Sequence, residues 1–154
     1  MAVRVQAEPF DVHVELTQLM AGRTDIGGVA TFLGLVRDTA HGRRVAAMTL
    51  EHYPGMTEAR LAETEAEARR RWPLQDCLVV HRFGRMLPGE PIVLVATLAE
   101  HRQTALDACA FLIDWLKTDA PFWKLEEDVA GEGRWVEARA EDTAARTRWD
   151  ATGS

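Results

Sequence analysis

The sequence has few cysteines and no long hydrophobic run, and each absence excludes a class of protein. Its two cysteines, Cys77 and Cys109, form no CxxC pattern, and neither neighbours a histidine. They are therefore expected to be small buried side chains rather than metal ligands or nucleophiles. No apolar stretch approaches the roughly 18–20 residues that a membrane span needs.

An excess of basic residues is also lacking. Lys and Arg together number 18 against 24 Asp and Glu, which gives a formal net charge of -6. A general nucleic-acid protein needs a broad basic face to neutralise phosphates, so this balance argues against one. The N-terminal stretch MAVRVQ has neither the hydrophobic core nor the cleavage site of a signal peptide. A cytoplasmic protein that binds neither nucleic acid nor membrane is expected.

Apolar spacing and capping signals predict three helices. Asp11 is placed to cap a short helix that Gly22 ends. A second helix runs from about Met56 to Trp72 and is stopped by a proline. The third begins just after His101 and keeps an apolar face through Leu116. The charged residues of the second helix are expected to face solvent: Glu63, Glu65, Glu67 and Arg69 to Arg71.

Segments rich in β-branched and aromatic residues predict the strands. Gly34 interrupts the first strand and marks a bulge or a close backbone approach. A turn at Pro88 and Gly89 indicates that two later strands form an antiparallel pair. The polar residues 38–44 are expected to form a mobile loop. The predicted extended segments are Val29–Arg37, Val45–Tyr53, Asp76–Arg82, Pro91–Leu98, Phe122–Val129 and Arg134–Ala138.

These elements and the composition indicate one ordinary globular unit. The chain has 154 residues, of which 47% are hydrophobic and 27% charged. A chain of this length buries about 70% of the surface that its unfolded form exposes, which is enough for a real core. We therefore expect an α+β fold, with a mainly antiparallel sheet and a few packed helices. Residues 1–154 are expected to form a single domain that ends in a polar tail from about residue 139.

Several cations lie where folding alone does not require them. Arg102 follows His101 at the start of a helix, where the helix dipole already supplies positive charge. Lys117 lies near the end of the same helix, and Lys124 follows beyond a proline. A negatively charged ligand is the simplest reason to gather such side chains, so the sequence predicts a local anion site.

Each of these residues also has a purely structural explanation. Lys117 near a helix C-terminus complements the helix dipole. Lys124 in an extended segment is ordinarily solvated, and a histidine such as His101 is more often structural than catalytic. His52 and His81 lie in strand-like segments without metal-ligand spacing, so a zinc site is not expected. Phe122 and Trp123 are expected in the core or at an interface.

Four segments, in order along the chain, carry a family resemblance. They are Thr31–Arg37, Leu50–Glu58, His81–Gly84 with Pro88–Glu90, and the stretch from His101 through Lys117 to Lys124. Together they resemble the large, catalytic subunit of molybdopterin synthase over nearly the whole chain.

The resemblance implies sulfur transfer in molybdenum-cofactor synthesis. Members of this family convert cyclic pyranopterin monophosphate into molybdopterin. The two sulfurs of its dithiolene arrive as a thiocarboxylate on the C-terminal glycine of a small ubiquitin-like sulfur-carrier subunit. Two large subunits form the central dimer of a heterotetramer. No cofactor or bound metal is implied for this chain, because other proteins insert molybdenum later. A phosphate and a thiocarboxylate would both suit the predicted anion site.

The resemblance also implies roles for individual residues. Lys117 and Lys124 match the family's essential lysines, and Lys117 is expected to act as a base or nucleophile, because nearby cations disfavour a charged amine. Arg102 and Lys124 would stabilise negative charge on the phosphate or an intermediate. His101 would move a proton or orient the substrate. The remaining expected substrate contacts are Arg37, Phe32 and Glu126.

Two rival functions stay open from the residues alone. A pure binding module would hold a ubiquitin-like tail without chemistry, and loss of Lys117 would then weaken binding rather than turnover. A sensor of small anions or nucleotides is less favoured, because the chain has no GxxxxGK loop. Leu35 and Leu125 stand where relatives often carry basic residues, so the pocket is expected to be less positive than theirs.

Overall fold

A computed structural model of the protein describes residues 2–136 and 140–151. The strands are β1 (Ala2–Gln6), β2 (Gly28–Leu35), β3 (Thr39–Ala40), β4 (Arg43–His52), β5 (Leu74–Arg82), β6 (Gly84–Met86), β7 (Pro91–Ala99), β8 (Phe122–Asp128) and β9 (Gly133–Val136). The helices are α1 (Val12–Met20), α2 (Met56–Arg71), α3 (Arg102–Thr118) and α4 (Ala140–Ala151).

The strands form two sheets. The first has the order β1-β5-β7-β2, in which only the β1–β5 pair is parallel. The second has the order β3-β4-β8-β9, with β6 also paired to β4, and all of its pairs are antiparallel. The predicted α+β class with a mainly antiparallel sheet is confirmed, including the pairing of β5 with β7.

Helices cover both faces of the first sheet. On one face, α2 and α3 pack over a core that includes Val79, Val95 and Phe111. On the other face, α1 packs over Leu78 and Leu94. Because β5 and β7 are buried on both sides, they read as nearly continuous apolar runs rather than alternating ones.

Local signals place the helix ends where they were predicted. The Oδ1 atom of Asp11 accepts hydrogen bonds from the backbone nitrogens of His13, at 2.9 Å, and Val14, at 3.1 Å. This cap satisfies two amides that a helix start leaves without a partner. Helix α2 ends just before Trp72, and His101 is the N-cap of α3.

Gly34 carries both features predicted for it. The pairing of β2 with β7 shifts register between Gly34 and Leu35, which is a bulge. A Cβ atom on Gly34 would lie 2.7 Å from Cγ1 of Val93 and 3.3 Å from Cε1 of Phe32. Any larger residue would therefore displace the neighbouring strand or the Phe32 ring.

The predicted mobile loop at residues 38–44 is wrong. Strands β3 and β4 pair there as a hairpin, with Thr39 opposite Arg44 and Ala40 opposite Arg43. The two turn residues between the strands, at 41 and 42, both have positive φ, at 53° and 74°. A tight hairpin turn needs this conformation, but His–Gly is a weaker turn signal than Asn–Gly.

The prediction that the charged residues of α2 face solvent is wrong for Glu65, which is 2% exposed. Its Oε1 accepts from Nε of Arg69 at 2.8 Å, and Nη2 of Arg69 donates to Asp76 of β5 at 3.3 Å. Helix α2 therefore lays a charged pair against the sheet. Such burial is tolerated because the charges are paired.

The tail, which was described from the sequence only as polar, contains α4. Nε1 of Trp149 donates to Oδ2 of Asp114 at 2.7 Å, and its ring meets those of Trp72 and Phe111 edge-on with centroids 5.6 Å apart. Arg146 binds Asp119. Helix α4 thus packs on α3, while residues 137–139 lie outside the described part.

The cysteines are buried and free, as predicted. Burial raises the pKa of Cys77 to about 12 and that of Cys109 to about 11, so both are unreactive thiols at neutral pH. Within the described residues, no helix is long and apolar enough to cross a membrane.

The buried ion pair predicts a specific stability loss. Arg69→Ala leaves Glu65 buried and without its cation, so the free energy of unfolding in urea should fall by about 2 kcal/mol. The figure is below the roughly 3–5 kcal/mol of a fully buried pair, because the Arg69 side chain is 34% exposed.

Arg70→Ala on the same helix is the matched control. Arg70 is 58% exposed, and its partner Glu67 keeps Arg71, so less than about 1 kcal/mol should be lost. Equal losses in the two variants would contradict the importance of the buried pair.

Candidate functional site

Several of the segments singled out in the sequence meet where the two sheets join. Val36, directly after β2, is buried against Met48 and Leu50 of the second sheet. The next residue, Arg37, is exposed. Phe122 at the start of β8 packs against the same apolar cluster. This junction therefore sets the ends of β2 and β8 close together.

The side chains of His81 and Phe122 pack against each other where the two sheets join. The two rings are stacked, with centroids 3.9 Å apart and an interplanar angle of 18°. Nδ1 of His81 lies 2.9 Å from the carbonyl oxygen of Arg82. A carbonyl oxygen only accepts hydrogen bonds, so Nδ1 carries the hydrogen and Nε2 is left as an acceptor.

The His81 ring is uncharged at neutral pH. It is only 8% exposed. Burial is the main cause that lowers its pKa to about 4; the bond to Arg82 opposes this effect, and Lys117 and His52 add to it.

Lys117 occupies the last turn of α3 and is exposed. A cation at this end of a helix is favoured by the helix dipole. Only a short connection separates Lys117 from Phe122, and therefore from the start of β8.

Lys124 lies on β8, two residues after Phe122, so the two side chains leave the strand on the same face. Its Nζ atom is 3.8 Å from Oε1 of Glu126, which lies on that face as well. The Lys124 side chain is 41% exposed and that of Glu126 is 12% exposed. The Glu126 carboxylate at this distance forms an ion pair that orients the Lys124 side chain.

Lys117 and Lys124 are the only lysines in the sequence, although it contains 18 Lys and Arg. Positive charge everywhere else is supplied by arginine. An arginine stays protonated, whereas a lysine amine can lose its proton and act as a base or nucleophile. Sequence reasoning missed this signal, which favours a chemical role for the two amines.

Within one chain, the structure does not bring His101 and Arg102 to the lysines. Both are exposed at the start of α3, and a Cβ atom on Gly28 would lie 3.2 Å from Cα of Arg102. Helix α3 has 17 residues and, at about 1.5 Å per residue, spans roughly 25 Å. These two cations therefore lie at the end of α3 opposite Lys117.

Phe32, an expected substrate contact, lies mainly in the core. It is partly buried with Ala30 against the residues that α3 covers. On the opposite face of β8 from Lys124, Trp123 and Tyr53 form an exposed pair with ring centroids 4.3 Å apart. The expectation that Phe122 belongs to the core is met by its stack on His81.

Comparison with known proteins identifies the family. The family described as "MoaE protein" matches residues 5–119. This chain belongs to the MoaE family. The molybdopterin synthase catalytic subunit of Pseudomonas aeruginosa is 54% identical over 150 residues, which cover 97% of this chain and 99% of that protein.

Solved structures agree with this assignment. The molybdopterin biosynthesis MoaE protein from Burkholderia ambifaria MC40-6 matches with a TM-score of 0.82 and 52% identity, over 97% of this chain and 99% of that one. A protein–protein complex of subunits 1 and 2 of molybdopterin-converting factor from Helicobacter pylori 26695 matches with a TM-score of 0.72 over 88% and 90% of the chains. Its 18% identity shows the shared fold alone.

Membership in the family confirms the resemblance inferred from the sequence. It also confirms that the chain is an enzyme of molybdopterin biosynthesis, the activity named for its relatives.

The buried neutral His81 predicts a pH-dependent stability. Between about pH 4 and 6.5 the unfolded chain binds a proton at this histidine and the folded chain does not, so stability should fall as the pH is lowered through that window. The full effect is about 3 kcal/mol. It should be absent in His81→Gln when urea unfolding is followed from pH 7 to pH 4.

The solvent-exposed His13 is the control for this experiment. His13→Gln should keep the wild-type pH dependence. If His81→Gln also keeps it, the buried ring is not the group that titrates.

Proposed function

We propose that this chain transfers sulfur from the C-terminal thiocarboxylate of a small ubiquitin-like subunit to cyclic pyranopterin monophosphate, building the dithiolene of molybdopterin in the cytoplasm. The observation that supports the proposal is that the two lysines of this MoaE-family chain lie on either side of the short connection between α3 and β8. Each transfer replaces a carbon–oxygen bond of the pterin with a carbon–sulfur bond, the displaced oxygen leaving as water or as a phosphate oxygen, and breaks the carbon–sulfur bond of the thiocarboxylate. The acyl group then ends on water as a carboxylate.

In this proposal, the two lysines have different roles. Both substrates are anions, so a fixed positive charge stabilises the bound state and the negative charge that develops during transfer. Lys124, held beside Glu126, supplies that fixed charge. Lys117, in the last turn of α3, acts as the base or nucleophile. Arg37, exposed after β2, binds the substrate phosphate.

A second copy of the chain completes the site. Strand β2 ends the first sheet, and within the described residues it pairs only with β7. Its face away from α3 exposes Val29, Leu33 and Leu35. An apolar edge strand invites pairing with another strand. A symmetric dimer that pairs the two β2 edges would cover it, in line with the central dimer implied by the family.

This dimer would bring the separated cations together. The start of β2 lies against Arg102, whereas Gly34 near its end stands opposite Val93, which in turn pairs with His81 beside Lys117. In an antiparallel pair of edges, the start of one β2 faces the end of the other. His101 and Arg102 of one copy would then approach Arg37 and Lys117 of its partner.

A small partner subunit is part of the proposal. The Helicobacter pylori structure contains subunits 1 and 2 of its converting factor together. We infer a comparable partner here, whose extended C-terminal tail reaches the lysines at the junction. The exposed pair Tyr53 and Trp123, on the opposite face of β8 from Lys124, offers an apolar surface on which that partner can rest.

A reconstituted assay tests the reaction. This chain, a thiocarboxylated small subunit and cyclic pyranopterin monophosphate are combined, and dithiolene formation is followed. Lys117→Ala should lower kcat by at least about 100-fold, because a base or nucleophile is lost. Lys117→Arg keeps the charge without a titrating amine, so it should be nearly as inactive.

Binding of the small subunit is measured on the same variants and should stay close to that of wild type. Turnover that survives in Lys117→Arg would reduce Lys117 to an electrostatic role. Tight partner binding by wild type without any turnover would instead favour a binding module over an enzyme.

Complementation tests the shared site. Lys117→Ala and Arg102→Ala should each be inactive alone. A mixed dimer has one site with both changes and one with neither, so random mixing should restore about a quarter of wild-type activity. A site built within one chain would give no recovery on mixing.

A further inference from the structure

We propose that Arg43, Arg44 and Arg134 form an oxyanion-binding subsite beside Lys124, which takes the phosphate group of the pterin substrate. The inference rests on the proposed function and extends it, since Arg37 is the only residue assigned to the phosphate there. Neither the cation pattern of the sequence nor the family resemblance singles out these three arginines.

Most arginines of the chain are used in ion pairs with Asp or Glu. Within residues 2–136 and 140–151, the arginines that make no ion pair are Arg37, Arg43, Arg44, Arg102 and Arg134. All five are exposed. In a chain with a formal net charge of -6, guanidinium groups that the many carboxylates leave unpaired favour an anion from outside the chain.

Three of these arginines line one small cleft at the end of the second sheet. The cleft lies between the β3–β4 hairpin and the turn that joins β8 to β9, and its volume is about 60 Å³. Its basic lining consists of Arg43, Arg44 and Arg134, with His41 at the hairpin turn. The volume equals the liquid share of roughly two water molecules, so it admits one compact oxyanion and not the pterin rings.

The strand register places this cleft next to the ion pair of Lys124 with Glu126. Arg134 of β9 lies directly opposite Glu126 of β8, so its side chain leaves the sheet on the same face as Lys124. Arg134 and Lys124 are diagonal neighbours across the two strands, at roughly 7–8 Å, which long side chains can span. The cleft therefore adjoins the amine that supplies the fixed charge in the proposed reaction.

Arg43 projects on that face as well. Val45 of β4 lies directly opposite Asp128, which by alternation along β8 shares the face of Lys124. Arg43 precedes Val45 by two residues, so its side chain leaves β4 in the same direction. Arg43 and Arg134 thus approach the cleft from two different strands.

The segment that carries Arg37 is tied to the same end of β4. The backbone nitrogen of Val45 donates to the carbonyl oxygen of Asp38, the residue after Arg37, at 2.8 Å. Because a phosphate oxygen is one leaving group of the proposed transfer, the phosphate lies next to a reacting carbon. A phosphate subsite must therefore adjoin both Arg37 and Lys124, as this cleft does.

The acidic side chains around the cleft leave room for such an anion. Three of its four carboxylates already interact with a lysine, an arginine and two backbone amides respectively: Glu126, Glu127 and Asp128. The fourth, Glu132, is exposed and makes no side-chain contact within the described chain. Three unpaired guanidinium groups therefore face one unpaired carboxylate.

Equilibrium binding of cyclic pyranopterin monophosphate to the purified chain tests the subsite without turnover. Arg43→Ala and Arg134→Ala should each weaken binding by about 10-fold or more, because a charge-assisted hydrogen bond is lost. Arg134→Lys keeps the charge without the planar fork and should recover only part of the affinity. Arg60→Ala removes an arginine of α2 that is 61% exposed, and as the matched control it should bind like wild type.

Glu132→Gln gives a change in the opposite direction. It removes the one unpaired carboxylate of the cleft, so the pterin should bind a few-fold more tightly. A cleft that never holds the phosphate would leave this affinity unchanged.

Affinity for the small subunit is measured on the same variants and should stay at the wild-type value. Losses confined to the small subunit would overturn the inference and make the cleft a docking site for partner carboxylates. Unchanged pterin affinity in folded Arg43→Ala and Arg134→Ala, or no pterin binding by wild type, would overturn it too. If wild type binds the pterin as expected but the reconstituted assay shows no turnover, the proposed function fails and the subsite stands.

Discussion

The stack of His81 on Phe122 is the contact on which the site depends. His81 ends a strand of the first sheet, and Phe122 begins a strand of the second, so their contact locks the two sheets together at one place. The lysines belong to elements on either side of this contact. Without it, Lys117 at the end of α3 and Lys124 on β8 would have no common frame.

The surroundings of His81 explain why a buried polar side chain is stable at this junction. A buried histidine is costly if it must carry charge, but this one is neutral and has its only donor satisfied by Arg82. Val36 and Leu50 belong to the apolar cluster on which Phe122 packs. The proposed site thus lies beside a well-packed apolar cluster, where charges interact more strongly than in water.

Cationic side chains lie at both ends of α3, and this affects how a site that uses both could be assembled. A helix is rigid and about 25 Å long here, so Arg102 and Lys117 never meet within one chain. In the proposed site, which uses both, two copies of the chain contribute, and the exposed edge of β2 is the surface proposed for their association. In this view, catalysis and oligomerisation are linked because one helix contributes opposite ends to two different sites.

The sequence by itself determined the features that depend on near neighbours. Asp11 caps α1, the proline after Trp72 stops α2, and Gly34 marks a bulge, because capping and steric rules act within a few residues. The four segments that carry the family resemblance, which include the two lysines, were also recognised from the sequence. Tertiary structure alone decided the rest. The burial of Glu65, the docking of Trp149 and the stack of His81 on Phe122 all depend on partners that are distant in sequence, and no local pattern records which strand or helix will be packed against them.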